Sequence, residues 1–340
     1  RSLRAIAESR GQALYGGVIA EAAAAHARAN GGAMAASDFA AYVPEWVETI
    51  GIDYAGHRLH EIPPNGQGIA ALIALGILRH FDIASMPLDG VDMQHVQIEA
   101  MKLAFADLYR YVADPVGMEF VCERLLDDAY LESRARLIEM KRAQPFAPGN
   151  PVKGGTIYLT AADESGMMVS FIQSNYMGFG SGVVVPEWGL SMQNRGHGFS
   201  LRAGSPNLVA PGKRPFQTII PAFLTKDGRP QMSFGVMGGN MQPQGHMQTL
   251  VRMLDYRQQP QAACDAPRWR FNQGLQINVE STMPQATVRG LVERGHQVDV
   301  LNDSYQDFGA GQFIWRLGDP AVEGYVAASD PRRDGQAAAF

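Results

Sequence analysis

Residues 153–166 read KGGTIYLTAADESG. Two glycines hand the chain to a threonine, a strand-like Ile-Tyr-Leu-Thr follows, and an Asp-Glu-Ser-Gly turn closes the segment. A loop entering a strand is the ordinary reading. The other reading is a peptide bond placed there to be broken. A threonine hydroxyl is a weak nucleophile unless a base sits beside it, and an N-terminal threonine carries its own base, because an α-amine titrates near about 8. Reaching that state requires scission of Gly155–Thr156. The Thr156 hydroxyl can bring this about by attacking the Gly155 carbonyl, giving an ester that water cleaves. A residue without Cβ at 155 adopts the distorted backbone at low steric cost. Taken alone, Gly-Gly-Thr favours the ordinary loop, so the surroundings decide.

Immediately upstream, RAQPFAPGNPVKGG (142–155) holds three prolines and three glycines in 14 residues, the composition of an exposed, mobile linker. Before it the chain reads mainly as helix. RSLRAIAESRGQALY and GGVIAEAAAAHARANGG give two helices, the second closed by Gly31 and Gly32, and Ser37-Asp38-Phe39-Ala40 reads as a helix start. WVETIGIDYAGHRLHEIPP alternates like a short strand pair around Tyr54-Ala55-Gly56. PPNGQGIAALIALGILRHF is a loop feeding an apolar helix, MQHVQIEAMKLAFADLYRYVADP a long helix, and residues 123–142 one more. From Thr156 onward, period-two patterns take over in TIYLTAAD, MMVSFIQSN, SGVVV, LSMQN, TIIPAFLTKDG and RPQMSFGVM, with a hairpin at Asp227-Gly228. Helices return at MQTLVRMLDYR and STMPQATVRGLVERG. Helices first, then a strand-rich half with further helices, predict a layered α+β or α/β/α fold.

The 340 residues supply one large domain or two ordinary ones, with 46% apolar and 19% charged residues. A net charge of −5 offers no basic face, so no nucleic-acid partner is expected. No apolar run approaches the roughly 20 residues of a membrane span. Cys122 and Cys264 are read as free thiols. The opening RSLRAIAESRG has no initiator Met and is already helical, which reads as a start partway into a longer protein; the compartment stays open.

Motifs for other chemistries are missing: no HExxH, no G-x-S-x-G, and no lysine after the GFGSG of 178–182. His57 and His60 read as a solvated strand edge rather than metal ligands, and no metal or organic cofactor is expected. His246 either packs and caps the helix that follows or serves an active site. Asp127-Asp128 and Asp163-Glu164 read as surface charges. The composition is compatible with a homo-oligomer and fixes no oligomeric state.

Several segments together carry a resemblance. PPNGQGIAALIALGIL, EAMKLAFADLYRYVADP, the run from TIYLTAADESG to GLSMQN, APGKRPFQTIIPAFLTKDG, FGVMGGN, DAPRWRF and ASDPRRDG are collinear with, and similar to, segments of the γ-glutamyltranspeptidase family of N-terminal nucleophile (Ntn) hydrolases. The resemblance implies an α/β fold, the four-layer α/β/β/α sandwich, in which 1–155 is the C-terminal portion of a mainly helical large subunit. Residues 156–340 are then the small subunit, and the two form one Ntn-hydrolase domain. It further implies autocleavage between Gly155 and Thr156, with Thr156 as nucleophile of a covalent acyl-enzyme and Ser174 as the hydroxyl bonded to it. Gly238 and Gly239 fall on the family's oxyanion glycines. The implied partners are a small-molecule amide substrate and the large and small fragments of the same precursor. The family's large subunit normally begins well before the helix at Arg1 and carries an arginine that grips the substrate carboxylate.

Departures bear on the substrate. Gly198 stands where the family has an aspartate holding the glutamyl α-amine. Gln217-Thr218 replaces a serine pair that holds the α-carboxylate, and Tyr176, beside Asn175, replaces an asparagine. Arg195 in the changed loop is a candidate carboxylate anchor. The resemblance thus implies a self-processing γ-glutamyltranspeptidase-like acyltransferase or amidohydrolase. One alternative is an amidase or acylase on a small glutaryl- or oxamate-like amide; another is a catalytically silent binding homologue.

Overall fold

IGIDYAGHRLHE reverses at Ala55-Gly56, both at positive φ (46° and 75°), the hand of turn that matches strand twist. It yields β1 (Ile50–Tyr54) and β2 (His57–Glu61), paired antiparallel. Asp227-Gly228 (φ 50° and 72°) does the same for β7 (Ala222–Lys226) and β8 (Arg229–Met237). In the computed structural model, which describes residues 1–146, 155–305 and 307–339, the two hairpins join through β2 and β7. With β12 (Ala310–Arg316) and β13 (Tyr325–Ser329) they make a six-stranded sheet of order β1-β2-β7-β8-β12-β13.

The two faces of this sheet carry different layers. On one lie α5 (Gly68–Leu78) and α8 (Met241–Leu250), with α6 (Val91–Tyr111) packed along α5. Every residue of α5 is buried, as expected of a helix apolar on all sides. Gly76 lets α5 approach Ile52 of β1; a Cβ there would stand 2.6 Å from its side chain. The other face is covered by a ribbon of β3 (Gly155–Ala162) and β4 (Met168–Tyr176). Because successive residues of β8 point to opposite faces, Phe234 and Val236 meet α8 while Ser233 and Gly235 meet β3. A three-stranded sheet, β9 (Trp269–Gln273), β10 (Gln276–Glu280) and β11 (Gln297–Leu301), packs through β9 on α6 and α8 and through β11 on α10 (Gln285–Glu293). Helices α7 (Asp128–Ala135) and α9 (Pro260–Asp265) complete this unit, which comprises Glu48–Ser174 and Gly196–Phe340.

A second compact unit comprises Arg1–Val47 and Asn175–Arg195. It holds α1 (Ser2–Glu8), α2 (Gln12–Tyr15), α3 (Val18–Ala29), α4 (Ala36–Ala40) and a small hairpin of β5 (Val184–Val185) and β6 (Leu190–Ser191). The Asp38 carboxylate accepts the Ala35 N–H (2.8 Å), the helix start expected from Ser37-Asp38. Among the described residues no helix is long and apolar enough to cross a membrane.

Several expectations change. The single helix over 123–142 becomes a 3₁₀ turn (Cys122–Leu126) and the short α7, separated at Asp127 by extended backbone. The helix expected from Met247 begins at Met241, because Pro243 sits in a first turn that needs no N–H from it, and it ends in a π turn at Val251–Asp255. β2 is not a sheet edge: His60 pairs with Phe223, and its Nε2 lies 2.9 Å from Thr225 Oγ1. The strands after residue 268 were not separately foreseen. Cys122 and Cys264 are free and buried, their thiols pushed up to about 12 by desolvation. Of the expected linker, 147–154 lies outside the described residues; its start is tied down, with Ala143 N–H donating to Arg294 O (2.7 Å) and Gln144 N–H to Glu99 Oε2 (3.1 Å).

Candidate active site

Strand β3 already begins at Gly155, so Thr156 stands in regular extended backbone rather than at the end of a loose loop. Its parity places Thr156, Tyr158 and Thr160 toward the six-stranded sheet, while Ile157 and Leu159 point outward and are exposed. The inner row descends along β8 in antiparallel fashion. Thr160 Oγ1 is bonded to Ser233 Oγ, and the Tyr158 ring lies on Gly235, where a Cβ would stand 2.6 Å from it. Thr156 shares a cavity of about 510 Å³ with Met237. Tyr158 donates or accepts across to Ser170 of β4 (2.7 Å), and burial pushes its phenol far above the ordinary range. The Thr156 hydroxyl donates to Ser174 Oγ at 3.3 Å, so two hydroxyls from neighbouring strands meet at the Gly155 joint.

The same strand β8 runs into Gly238-Gly239 and then α8. Both glycines have positive φ (123° and 61°), and a Cβ at Gly238 would stand 3.0 Å from Gly309 Cα. Only glycine fits this turn without strain. Their carbonyls accept from Met241 and Gln242 N–H (3.1 and 3.2 Å), which starts the helix. Asn240 Nδ2 donates to Tyr109 Oη.

Gln217 and Thr218 reach this region from a different direction. Gln217 Oε1 accepts from Ile219 N–H (2.6 Å), and Thr218 is buried. Gln67 Nε2 donates both to Thr218 O (2.7 Å) and to Gly239 O (2.8 Å), so the two segments are linked by a residue the sequence reading passed over. Gly198 packs against Phe216; a Cβ there would overlap the Phe216 carbonyl oxygen.

In the other unit, Asn175 O accepts Asn194 N–H (3.1 Å) and Tyr176 takes a left-handed φ of 80°, unusual for a bulky residue. The Arg195 guanidinium lies over the Tyr176 ring, 5.2 Å from its centroid. Arg195 is buried rather than solvent-exposed, and desolvation lowers its pKa.

Two further polar groups are buried in this unit. His246, inside α8, accepts Val236 N–H at Nε2 (3.1 Å) and therefore donates Nδ1–H to Glu61 (2.7 Å), a core pair in which burial raises the Glu61 pKa. His95, Glu99 and His296 converge closely enough to be considered as metal ligands. The Lys102 ammonium already supplies a cation there, 2.6 Å from Glu99 Oε1 and 3.5 Å from His296 Nδ1. His296 Nε2–H then donates to His95 Nδ1 (2.8 Å), and His95 Nε2–H to Glu139 O (2.9 Å), so the hydrogen bonds close without a metal.

With a threonine at a Gly joint, a second hydroxyl and a diglycine turn in place, sequence comparison gives a family: the gamma-glutamyltranspeptidase profile matches residues 1–340. The chain belongs to the gamma-glutamyltranspeptidase family. The glutathione hydrolase-like YwrD proenzyme of Bacillus subtilis (strain 168) is 36% identical over 344 residues, covering 99% of this chain and 64% of that protein. The oxamate amidohydrolase proenzyme of Klebsiella pneumoniae is 33% identical, covering 100% and 64%. Among solved structures, cephalosporin acylase from Bacillus halodurans superposes with a TM-score of 0.93 at 50% identity, covering 99% of this chain and 61% of that one. The chain thus spans about three fifths of the length of these relatives. Its mixed α/β architecture is that of the Ntn hydrolases of this family.

Proposed function

We propose that this protein is a self-processing Ntn amidohydrolase, an acylase acting on a small acyl amide whose acyl group carries no α-ammonium. The hydroxyl pair Thr156–Ser174 at the Gly155 joint carries the first part of the reading. In the precursor, Thr156 Oγ attacks the Gly155 carbonyl carbon, the Gly155–Thr156 C–N bond breaks, and the ester formed is hydrolysed. The products are one fragment ending at Gly155 and a second starting with a free Thr156 amine. That relatives are named proenzymes supports this step.

In the mature enzyme the Thr156 amine takes the hydroxyl proton as Oγ attacks the substrate carbonyl. Gly238 and Gly239 N–H groups stabilise the oxyanion, a contribution of about 10² to 10³ in rate per donor in comparable sites. Collapse expels the amine with the proton and leaves a threonyl ester, which water hydrolyses. Ser174 orients the nucleophile; Gln217 and Thr218 are proposed to contact the acyl group.

Gly198 carries the choice of acyl donor. A glycine offers an ammonium no partner, and the Phe216 carbonyl occupies the space a side chain would need. An α-ammonium brought there would be desolvated without a counter-charge. The name oxamate amidohydrolase among the relatives agrees with an amine-free acyl group.

The test uses the full-length protein. Intact mass should give two fragments, the second beginning at Thr156, and a single uncut chain for Thr156→Ala. The mature enzyme should then favour glutaryl p-nitroanilide over γ-glutamyl p-nitroanilide by about tenfold or more in kcat/KM. A preference for the γ-glutamyl compound would return the reading to glutathione-type substrates. An uncut wild type would leave the silent-homologue reading standing.

A further inference from the structure

The loop that feeds α5 holds the candidate site with three consecutive residues. Asn65 Nδ2 donates to Pro215 O (2.5 Å), and Asn65 O accepts Gln217 N–H (3.1 Å). Gly66 forms a parallel bridge with Gln217, at a separation where a Cβ would stand 2.6 Å from Gln217 Nε2. Gln67 comes next and is fully buried. Its main-chain carbonyl starts α5 by accepting Ala70 N–H (3.0 Å), but its side chain makes no cap to the helix. The carboxamide has two N–H bonds, and Nε2 directs them to Thr218 O and Gly239 O.

These two carbonyls belong to segments that no ladder joins directly. One is the Gln217-Thr218 segment; the other is the turn at the head of α8. A diglycine turn has no side chains whose packing could fix it, and glycine is the residue least restrained by its own backbone. Its orientation must come from hydrogen bonds. Gly239 O is held by Gln67 on one side and by the first turn of α8 on the other.

We propose that Gln67 is a positioning residue for acyl transfer, locking the Gly238-Gly239 turn to the Thr218 segment so that the oxyanion donors and the acyl-binding wall keep one fixed geometry. This rests on the acyl-transfer reading above. Gln67 touches no reacting atom; it acts through Gly239 and Thr218. Removing its N–H groups takes this donor from the buried Thr218 carbonyl and leaves Gly239 O held by Gln242 N–H alone, so the tie between the two segments is lost. A displacement of about 1 Å at such donors costs on the order of 100-fold in rate.

Two variants test it. Gln67→Met keeps the length and shape of the side chain without hydrogen bonds. Gln67→Glu replaces the amide by a carboxyl whose charged form faces two carbonyl oxygens, while its protonated form can donate to one of them. Precursor cleavage rate, followed by intact mass, is the common readout, with kcat and KM on whichever of the two anilides the wild type turns over. Gln67→Met is expected to cut and turn over about 10- to 100-fold more slowly, with KM changed by less than about threefold and native near-ultraviolet circular dichroism retained. Gln67→Glu should recover toward wild type as pH falls through its burial-raised pKa, read as the variant-to-wild-type ratio at each pH. A Gln67→Met enzyme within about twofold of wild type in cleavage and kcat overturns the proposal. If Gln67→Met does not fold, a flat Gln67→Glu ratio across pH overturns it instead. A wild type that is never cut refutes the acyl-transfer reading, and the Gln67 proposal with it. A wild type that cuts while the variants match it refutes the Gln67 proposal alone.

Discussion

The two faces of the six-stranded sheet are built on different terms. On the α5 face, an eleven-residue helix is wholly buried through apolar side chains, with α8 beside it adding buried polar groups such as the His246–Glu61 pair. On the β3 face, the inner row is Thr156, Tyr158 and Thr160, hydroxyl-bearing residues that bond to Ser174, Ser170 and Ser233. Apolar burial is non-directional and sets stability with little regard to angle. Hydroxyl contacts fix distances and directions, which a nucleophile needs. One face therefore holds the sheet in place, and the other uses it as a template.

The largest test of this contrast is Gly235→Val. Its side chain would strike the Tyr158 ring and lift β3 from β8. Precursor cleavage should fall below detection by intact mass, with a stability loss of about 1–3 kcal/mol in a urea titration. Cleavage at the normal rate would mean that the ribbon does not need its template. Leu72→Ala, in the middle of α5, is the opposite probe. It should lower unfolding free energy by about 2–5 kcal/mol, while precursor that remains folded cuts at close to the wild-type rate. Strong slowing of cleavage there would erase the distinction between the two faces.

Ser174→Ala removes the hydroxyl that accepts from Thr156. Cleavage and turnover should slow about tenfold, by analogy with the loss of one orienting hydrogen bond of about 1 kcal/mol, with an unchanged thermal midpoint. The smallest effect concerns pH. Burial holds His95 at about 4 and His296 at about 2, with Lys102 and Arg294 also opposing their protonation and Asp92 favouring it at His95. Unfolded histidines bind protons below about pH 6.5 while the folded pair stays neutral, so their contribution is full above that pH. It should decline by on the order of 1 kcal/mol per histidine between pH 6.5 and 5. His95→Gln should flatten the urea midpoint against pH over that window.

These contrasts also mark what was legible in the sequence. α5 was plain because an uninterrupted apolar run with a Pro/Gly entry has few other readings. The hairpins at Ala55-Gly56 and Asp227-Gly228 were plain because their turn residues accept positive φ. Thr156, Ser174 and the diglycine turn were reached through resemblance to a family, not through spacing. Gln67 was passed over, since a glutamine before an apolar helix looks like an ordinary cap, and its two carbonyl partners lie about 150 and 170 residues away. Whether Arg195 is buried was not legible for a similar reason: a lone arginine in a glycine-rich loop gives no sign of the ring beneath it. The start of α8 was misplaced because Pro243 and Gly245 read as a loop, although a first-turn proline and a glycine packed on Val236 suit a helix there.

The sheet order has a consequence for how the protein folds. β1 and β2 precede the Gly155–Thr156 bond and β7, β8, β12 and β13 follow it, yet β2 and β7 are neighbours. Before scission, forming that pair is a unimolecular event within one chain. Once the chain is cut as proposed, it is an association between two polypeptides. The uncut Thr156→Ala protein should therefore refold from urea at any dilution, whereas the mature protein's refolding yield and midpoint should rise with protein concentration.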